Sequence, residues 1–277
     1  MNTMTDCVAL FREGRLDEAI QRATDSLRDD PKDTSMRSLL AELLCVHGEF
    51  ERADHQLETL AHWSPDRGEE ITAWRGLVRA AQARRDVFEQ GAAPELTRDA
   101  TPRVRALLEA LLAWRHGDSE TADRYAHLES ERTPWQVYVE GEPAGDVREL
   151  DDRLAGIVDV LTTEGQYLWL DVAEIASLRF APRRRPLDGL WRPAHLTLHE
   201  GFNGRVYIPI IYPTSVSEES HLLGHSTDWE ESGGAVIGLG QRCWLVGENA
   251  VPLGEIDRIE AESMSEEASE PSAEVQS

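Results

Sequence analysis

Apolar positions in the first half of the chain recur at helical spacing. Leu39, Leu40, Leu43, Leu44 and Val46 fall on one side of a helix that would end before Gly48. Leu107, Leu108, Leu111, Leu112 and Trp114 do the same before Gly117. Between them, Ile71, Trp74, Leu77, Val78 and Ala81 define a further helix that breaks at Gly91-Ala92-Ala93-Pro94. Near residue 134 the pattern changes. Pro134, Gly141, Pro143 and Gly145 read as a connector. Leu150, Leu154, Ile157, Val158 and Leu161 then predict one more helix over 147–161. Beyond it the period shortens to two. Residues 167–172, 194–199 and 205–210 predict strands, the last two joined by a hairpin loop, Glu200-Gly201-Phe202-Asn203-Gly204. Residues 235–239, 243–246 and 256–260 are further strand candidates.

An internal repeat organises the helical half. Gly14, Leu16, Ala19, Leu27 and Pro31 recur as Gly48, Phe50, Ala53, Ala61 and Pro65, each shifted by 34 residues. Gly117, Ala122 and Pro134 echo the same 17-residue interval from Gly to Pro. Gly allows the tight turn between paired helices, Ala lets them approach, and Pro ends the second one. This is the pattern of tetratricopeptide-like helical hairpins, each of which needs a neighbour to cover its apolar face. The predicted fold class is α+β. A tetratricopeptide-like array occupies 1–133, and a small α+β domain with a mostly antiparallel sheet occupies 134–260. Residues 261–277, rich in Glu and Ser and without aromatics, are expected to be a disordered acidic tail. Residues 214–234 are polar and long for a connection, which suggests a binding loop or a mobile one.

Charge then removes several classes of function. The chain has 277 residues, with 28 Lys+Arg against 52 Asp+Glu and a net charge of −24. Such a surface repels phosphate backbones and anionic lipid, so neither nucleic acid nor a membrane is the expected partner. No apolar run reaches membrane-spanning length, and the N-terminus lacks a secretory pattern, so a cytoplasmic location is expected. The three cysteines Cys7, Cys45 and Cys243 are scattered and do not form a disulfide framework. Residues 254–277 carry eight acids and one base, and Lys32 is the only lysine. Most of the acidity reads as solvation, with a preference for a basic partner helix as its functional share.

Few constellations suggest chemistry. His221 and His225 are four residues apart but lack further ligands, so they read as solvated loop histidines, with no metal or cofactor expected. Asp151 and Asp152 read as acids favouring a helix N-terminus, with Arg153 in a structural ion pair. Arg183-Arg184-Arg185 is the one concentrated basic patch, suited to an acidic partner or to an acidic surface of the chain itself. Trp169 and Trp191 read as core, and Trp229, at the end of the polar segment, as an interface anchor. Gly238-Leu239-Gly240-Gln241-Arg242 lacks the ending of a phosphate loop and reads as a bulge or tight turn.

The second half carries an ordered string of features. Leu150-Asp151-Asp152-Arg153-Leu154 comes first, then Trp169 before Ile175, then Leu187-Asp188-Gly189-Leu190-Trp191-Arg192-Pro193. Ile208-Pro209-Ile210-Ile211-Tyr212-Pro213-Thr214-Ser215, Thr227-Asp228-Trp229 and Gly238-Leu239-Gly240-Gln241-Arg242 follow. This string resembles the ImpE family, also called SciE-type or TagJ proteins, accessory components of bacterial type VI secretion systems. The resemblance spans nearly the whole chain. It implies a non-catalytic adaptor that binds the N-terminal helix of the sheath subunit TssB and is linked to the disassembly ATPase ClpV. Arg153, Arg183, Arg184, Arg185, Trp229 and Arg242 are the candidate partner-contacting residues. Two alternatives stand beside it: a scaffold for an unrelated partner, and a hydrolase using Asp152, Arg153 and His195.

Overall fold

Seven helices lead the chain: α1 (Thr3–Arg12), α2 (Leu16–Asp29), α3 (Thr34–His47), α4 (Phe50–Trp63), α5 (Gly68–Gln90), α6 (Pro102–His116) and α7 (Thr121–Ser130). The structure, a computed structural model, describes residues 3–213 and 218–262. The 34-residue repeat is realised directly, since α2 and α4 begin at its equivalent positions Leu16 and Phe50. The turn residues Gly14, Gly48 and Gly117 have φ of 82°, 84° and 66°, a left-handed conformation that a side chain would strain. The side chain of Asp33 caps α3 by accepting from the Met36 N–H at 2.9 Å. Leu112, counted on an apolar face from its spacing, is instead 53% exposed on α6.

The sheet half contains β1 (Glu95–Leu96), β2 (Gln136–Val139), β3 (Glu142–Glu149), β4 (Ile157–Leu161), β5 (Tyr167–Asp171), β6 (Ile175–Phe180), β7 (Trp191–Leu198) and β8 (Asn203–Pro209). The short helix α8 (Glu219–Leu222) precedes β9 (Thr227–Ser232), β10 (Ala235–Gly240), β11 (Cys243–Val246), β12 (Asn249–Pro252) and β13 (Arg258–Ala261). Eleven strands join in the order β1-β5-β4-β8-β7-β6-β13-β2-β3-β11-β12, and β9 and β10 form a separate hairpin. Every pairing is antiparallel except that of β1 with β5. The sheet is therefore much larger than the small one expected. Residues from β2, β4, β7, β11 and β13 (Val137, Val158, Leu196, Trp244 and Ile259) share one core, so the sheet curls around its own interior.

Two elements differ from the sequence expectation. The helix predicted over 147–161 is instead the end of β3, a 3-10 turn at Asp152–Leu154, and β4. The cause is burial on both faces. Ile157 and Leu161 pack into the core shared with the helices, while Val158 and Val160 pack inside the sheet. A strand between two cores has no polar face, so it reads as a continuous apolar run that spacing cannot tell from a helix. The connector expected at 134–145 forms β2, a turn and the start of β3. Glu140 and Gly141 make that turn, with φ of 55° and 87°.

The two halves are packed together. β1 lies between α5 and α6 in sequence yet pairs with β5 of the sheet. Trp169 and Tyr167 on β5 belong to the same core as Trp74 and Phe88 on α5. At Gly76 on α5, an added Cβ would sit 1.7 Å from the Thr163 carbonyl oxygen in the β4–β5 turn, so the helix backbone rests against that turn. No helix among the described residues is long and apolar enough to cross a membrane. The acidic tail expected at 261–277 begins as ordered chain, since Ala261 pairs with Val137 as the last residue of β13, and from residue 263 onward it lies outside the described residues.

Candidate partner-binding site between the helices and the sheet

Much of the inner surface of the array is already covered by the chain itself. α3 is buried on nearly all sides, from Met36 through Val46. The turn at Pro186–Gly189 lies on it, with the Leu187 N–H donating to Glu42 of α3 at 3.3 Å. Arg185 reaches the same Glu42 at 3.7 Å and lies over the Trp74 ring at 5.3 Å. Burial pushes the Glu42 carboxyl up, against the opposing pull of Arg185.

Beside this contact, a buried ionic cluster joins the halves. Asp159 stands on the helix-facing side of β4 and accepts from Arg84 of α5 at 2.7 Å, from Arg242, and from the Tyr167 hydroxyl at 3.2 Å. Arg242 also donates to Glu149 at 2.5 Å, and Glu149 accepts from the Trp244 indole at 2.9 Å. Two guanidiniums thus meet two carboxylates, and the cluster is neutral overall. Burial alone would raise the Asp159 carboxyl, but Arg242 and Arg84 outweigh it and hold it below the usual carboxylate range. At Glu149 burial wins over Arg242, and that carboxyl is raised. A second pair, Arg153 with Asp151 at 2.5 Å, anchors the β9–β10 hairpin, because Asp151 also accepts from the Gly238 N–H at 2.9 Å. Asp152 accepts from the Val236 N–H at 2.6 Å, so both acids satisfy the outer edge of β10.

What remains open is a cleft of about 380 Å³ between the α3–α4 turn, α5 and the sheet half. Phe50, Leu190, Pro213 and Leu222 supply half-buried apolar surface, with Trp191 and Ile211 at the floor. Arg85 stacks over Phe50 at 4.3 Å and donates to the Gly48 carbonyl at 2.7 Å, which holds the wall in place. Glu49 and Glu89 line the same cleft. Arg84, Arg85 and His47 line it as well, so the cleft offers apolar surface rimmed by charges of both signs, the chemistry that receives an amphipathic helix.

The predicted contact residues separate into two groups. Arg183 and Arg184 are exposed, and Arg185 is half-exposed against Glu42 and Trp74. Trp229 is 42% exposed and packs edge-on to Tyr212, which lines the cleft. Arg153 and Arg242 are corrections. They are 2% and 0% exposed, and ion pairs with Asp151, Glu149 and Asp159 consume them, so neither meets a partner in this conformation. His221 is also corrected, since it is buried with Nε2 at 2.7 Å from Asp228, while His225 is exposed. The polar segment at 214–234 contains α8 and β9 rather than one long loop, and its residues 214–217 lie outside the described residues. Asp152, Arg153 and His195 are not brought together: Asp152 holds Val236, Arg153 holds Asp151, and His195 meets Asn203 at 2.5 Å. No group of three or more His, Cys, Asp or Glu that could hold a metal occurs among the described residues.

Sequence reasoning missed Asp159, Glu149 and Arg84. A signal for Asp159 was present: a lone acid inside Ile157-Val158-Asp159-Val160-Leu161 must be paired if that run is buried. Glu149 and Arg84 carry no such signal.

Residues 141–260 match the sequence model of the ImpE protein family, and residues 10–80 match the tetratricopeptide repeat. A curated relative, the type VI secretion system accessory component TagJ of Pseudomonas aeruginosa, is 28% identical over 254 residues, covering 90% of this chain and 89% of the relative. The crystal structure of protein VPA1032 from Vibrio parahaemolyticus is similar with a TM-score of 0.86 at 32% identity, covering 92% of this chain and 97% of that one.

Proposed function

The chain belongs to the ImpE family, and from that premise we propose that it is a non-catalytic adaptor of a type VI secretion system whose cleft receives the N-terminal helix of the sheath subunit TssB. The accessory role follows the TagJ relative, which aligns along nearly its full length. The single observation that supports the cleft is its composition. Phe50, Leu190 and Leu222 leave half-buried apolar surface over the Trp191 floor, rimmed by charges of both signs from Glu49, Glu89, Arg84 and Arg85. An amphipathic helix with apolar anchors would bury that surface. Arg183 and Arg184 lie outside the cleft lining and offer a separate cationic surface for a second, acidic partner, which in this reading is the ATPase ClpV. Holding sheath and ATPase on one body raises the effective concentration of each near the other. In this reading the protein acts in the cytoplasm.

Co-purification tests the reading. The full chain should retain the cognate TssB and lose a TssB that lacks its N-terminal helix. Equal retention of both would overturn it.

A further inference from the structure

The two edges of the β9–β10 hairpin differ. On β10 the outward N–H groups of Val236 and Gly238 donate to Asp152 and Asp151, at 2.6 and 2.9 Å. Val236 and Gly238 stand opposite Glu231 and Trp229 of β9. Residues facing each other in a non-hydrogen-bonded antiparallel pair both turn their N–H and C=O groups away from the partner strand. Trp229 and Glu231 therefore point theirs outward from β9. No hydrogen bond to these groups occurs among the described residues. The strand is exposed from Asp228 to Glu231, so this free edge is open to another strand.

The side chains select what can pair there. Trp229 and Glu231 stand on the hairpin face that carries Val236, and Trp229 and Val236 are both exposed apolar groups. Asp228 and Glu230 stand on the opposite face. Asp228 meets His221, but Glu230 and Glu231 have no cation within ion-pair distance among the described residues. From Val206 to Gln241 the sequence has five acids and no Lys or Arg. A second copy of this chain would set these acids against their own equivalents, and like charges directly opposite repel. A strand with cations at alternate positions would neutralise them.

We infer that β9 receives an extended segment of a partner protein by antiparallel strand addition, and that this segment alternates apolar and basic side chains. Its apolar residues stand opposite Trp229 and Glu231, exchange main-chain hydrogen bonds with them, and lie on the Trp229 and Val236 face. Its basic residues flank Asp228 and Glu230 on the other face. Main-chain hydrogen bonds supply the affinity of such an added strand, and the alternate side chains supply its specificity. The acids reject acidic strands and a second copy alike. Trp229, packed edge-on to Tyr212 at 5.4 Å, is the apolar anchor. No β9 residue lines the cleft, so this surface is independent of the sheath-helix reading.

The end-blocked peptide Lys-Val-Lys-Val-Lys-Val-Lys tests this by NMR on the full chain carrying isotope-labelled tryptophan, with the Trp229 backbone amide assigned through Trp229→Phe. Titration should move that amide saturably and leave the Trp63 amide in place. A twin peptide N-methylated at each valine keeps every charge and side chain but loses the donors that face β9. It should bind at least about tenfold more weakly. A twin N-methylated at each lysine should bind like the unmodified peptide, because those N–H groups face away. Glu231→Pro removes an outward N–H and leaves the ladder with β10 intact, so it should weaken the peptide more than Glu231→Gln, which removes only the charge. Equal binding of the unmodified peptide and its valine-methylated twin would overturn the proposal and reduce the edge to charge attraction. An unmoved Trp229 amide at millimolar peptide would overturn it as well.

Discussion

The Arg84 guanidinium on α5 lies 2.7 Å from the fully buried Asp159 carboxylate on β4, an ion pair that ties the helical half to the sheet half. Asp159 also holds Arg242, which holds Glu149, so removing one charge leaves the others buried and unbalanced. Asp159→Asn should lower the unfolding free energy by about 3–5 kcal/mol, read from urea denaturation. Replacing the pair together, Asp159→Leu with Arg84→Met, should cost less than the single substitution. A loss under about 1 kcal/mol for Asp159→Asn would place the joint between the halves elsewhere.

Acid stability follows from the same cluster. Asp159 is held below the carboxylate value of 3.8, so its contribution is complete above that pH and is lost as pH falls through its folded value. Glu149 is raised above 4.5, so the folded state keeps its proton longer and stability declines as pH climbs from 4.5 through the raised value. Glu149→Gln should remove that decline, leaving a stability–pH slope above 4.5 that is more positive than in the parent. Denaturant midpoints across this range measure the difference, and identical slopes would contradict it.

Gly76→Ala separates local propensity from packing. In an exposed helix interior the change would stabilise by about 1 kcal/mol. Here the new Cβ would meet the Thr163 carbonyl at 1.7 Å, and α5 would have to move off the β4–β5 turn. The expected result is a loss of about 1–3 kcal/mol. A rise in melting temperature would contradict the close approach.

The repeat in the helical half was legible because its signals are local: Gly14 and Gly48 close turns, and Leu16 and Phe50 start equivalent helices. Strands with one wet face, such as β8, were legible for the same reason. β4 was not, because a strand between two cores loses its alternation. β9 and β10 carried a cue that went unused, since Gly233-Gly234, with φ of 57° and 85°, form their turn. The cleft was invisible in principle. Phe50, Leu190 and Leu222 come from three separate stretches of chain, and only the fold brings them to one wall.

The three arginines at 183–185 should behave differently. Arg183→Ala and Arg184→Ala, both exposed, should change stability by under about 0.5 kcal/mol while weakening any contact with an acidic partner. Arg185→Ala should cost about 1–2 kcal/mol, because it strips the raised, buried Glu42 of its cation. Thermal unfolding of the three single variants distinguishes them, and equal losses would contradict the assignment of Arg185 to the array.

The cleft itself is tested most directly by calorimetric titration of the cognate TssB N-terminal peptide into the full chain and into Leu222→Glu, a half-buried position on the cleft wall. The account predicts saturable binding to the parent and at least about tenfold weaker binding to the variant, a difference of roughly 1.4 kcal/mol. Absence of binding at high micromolar peptide, or equal affinity for both proteins, would contradict it.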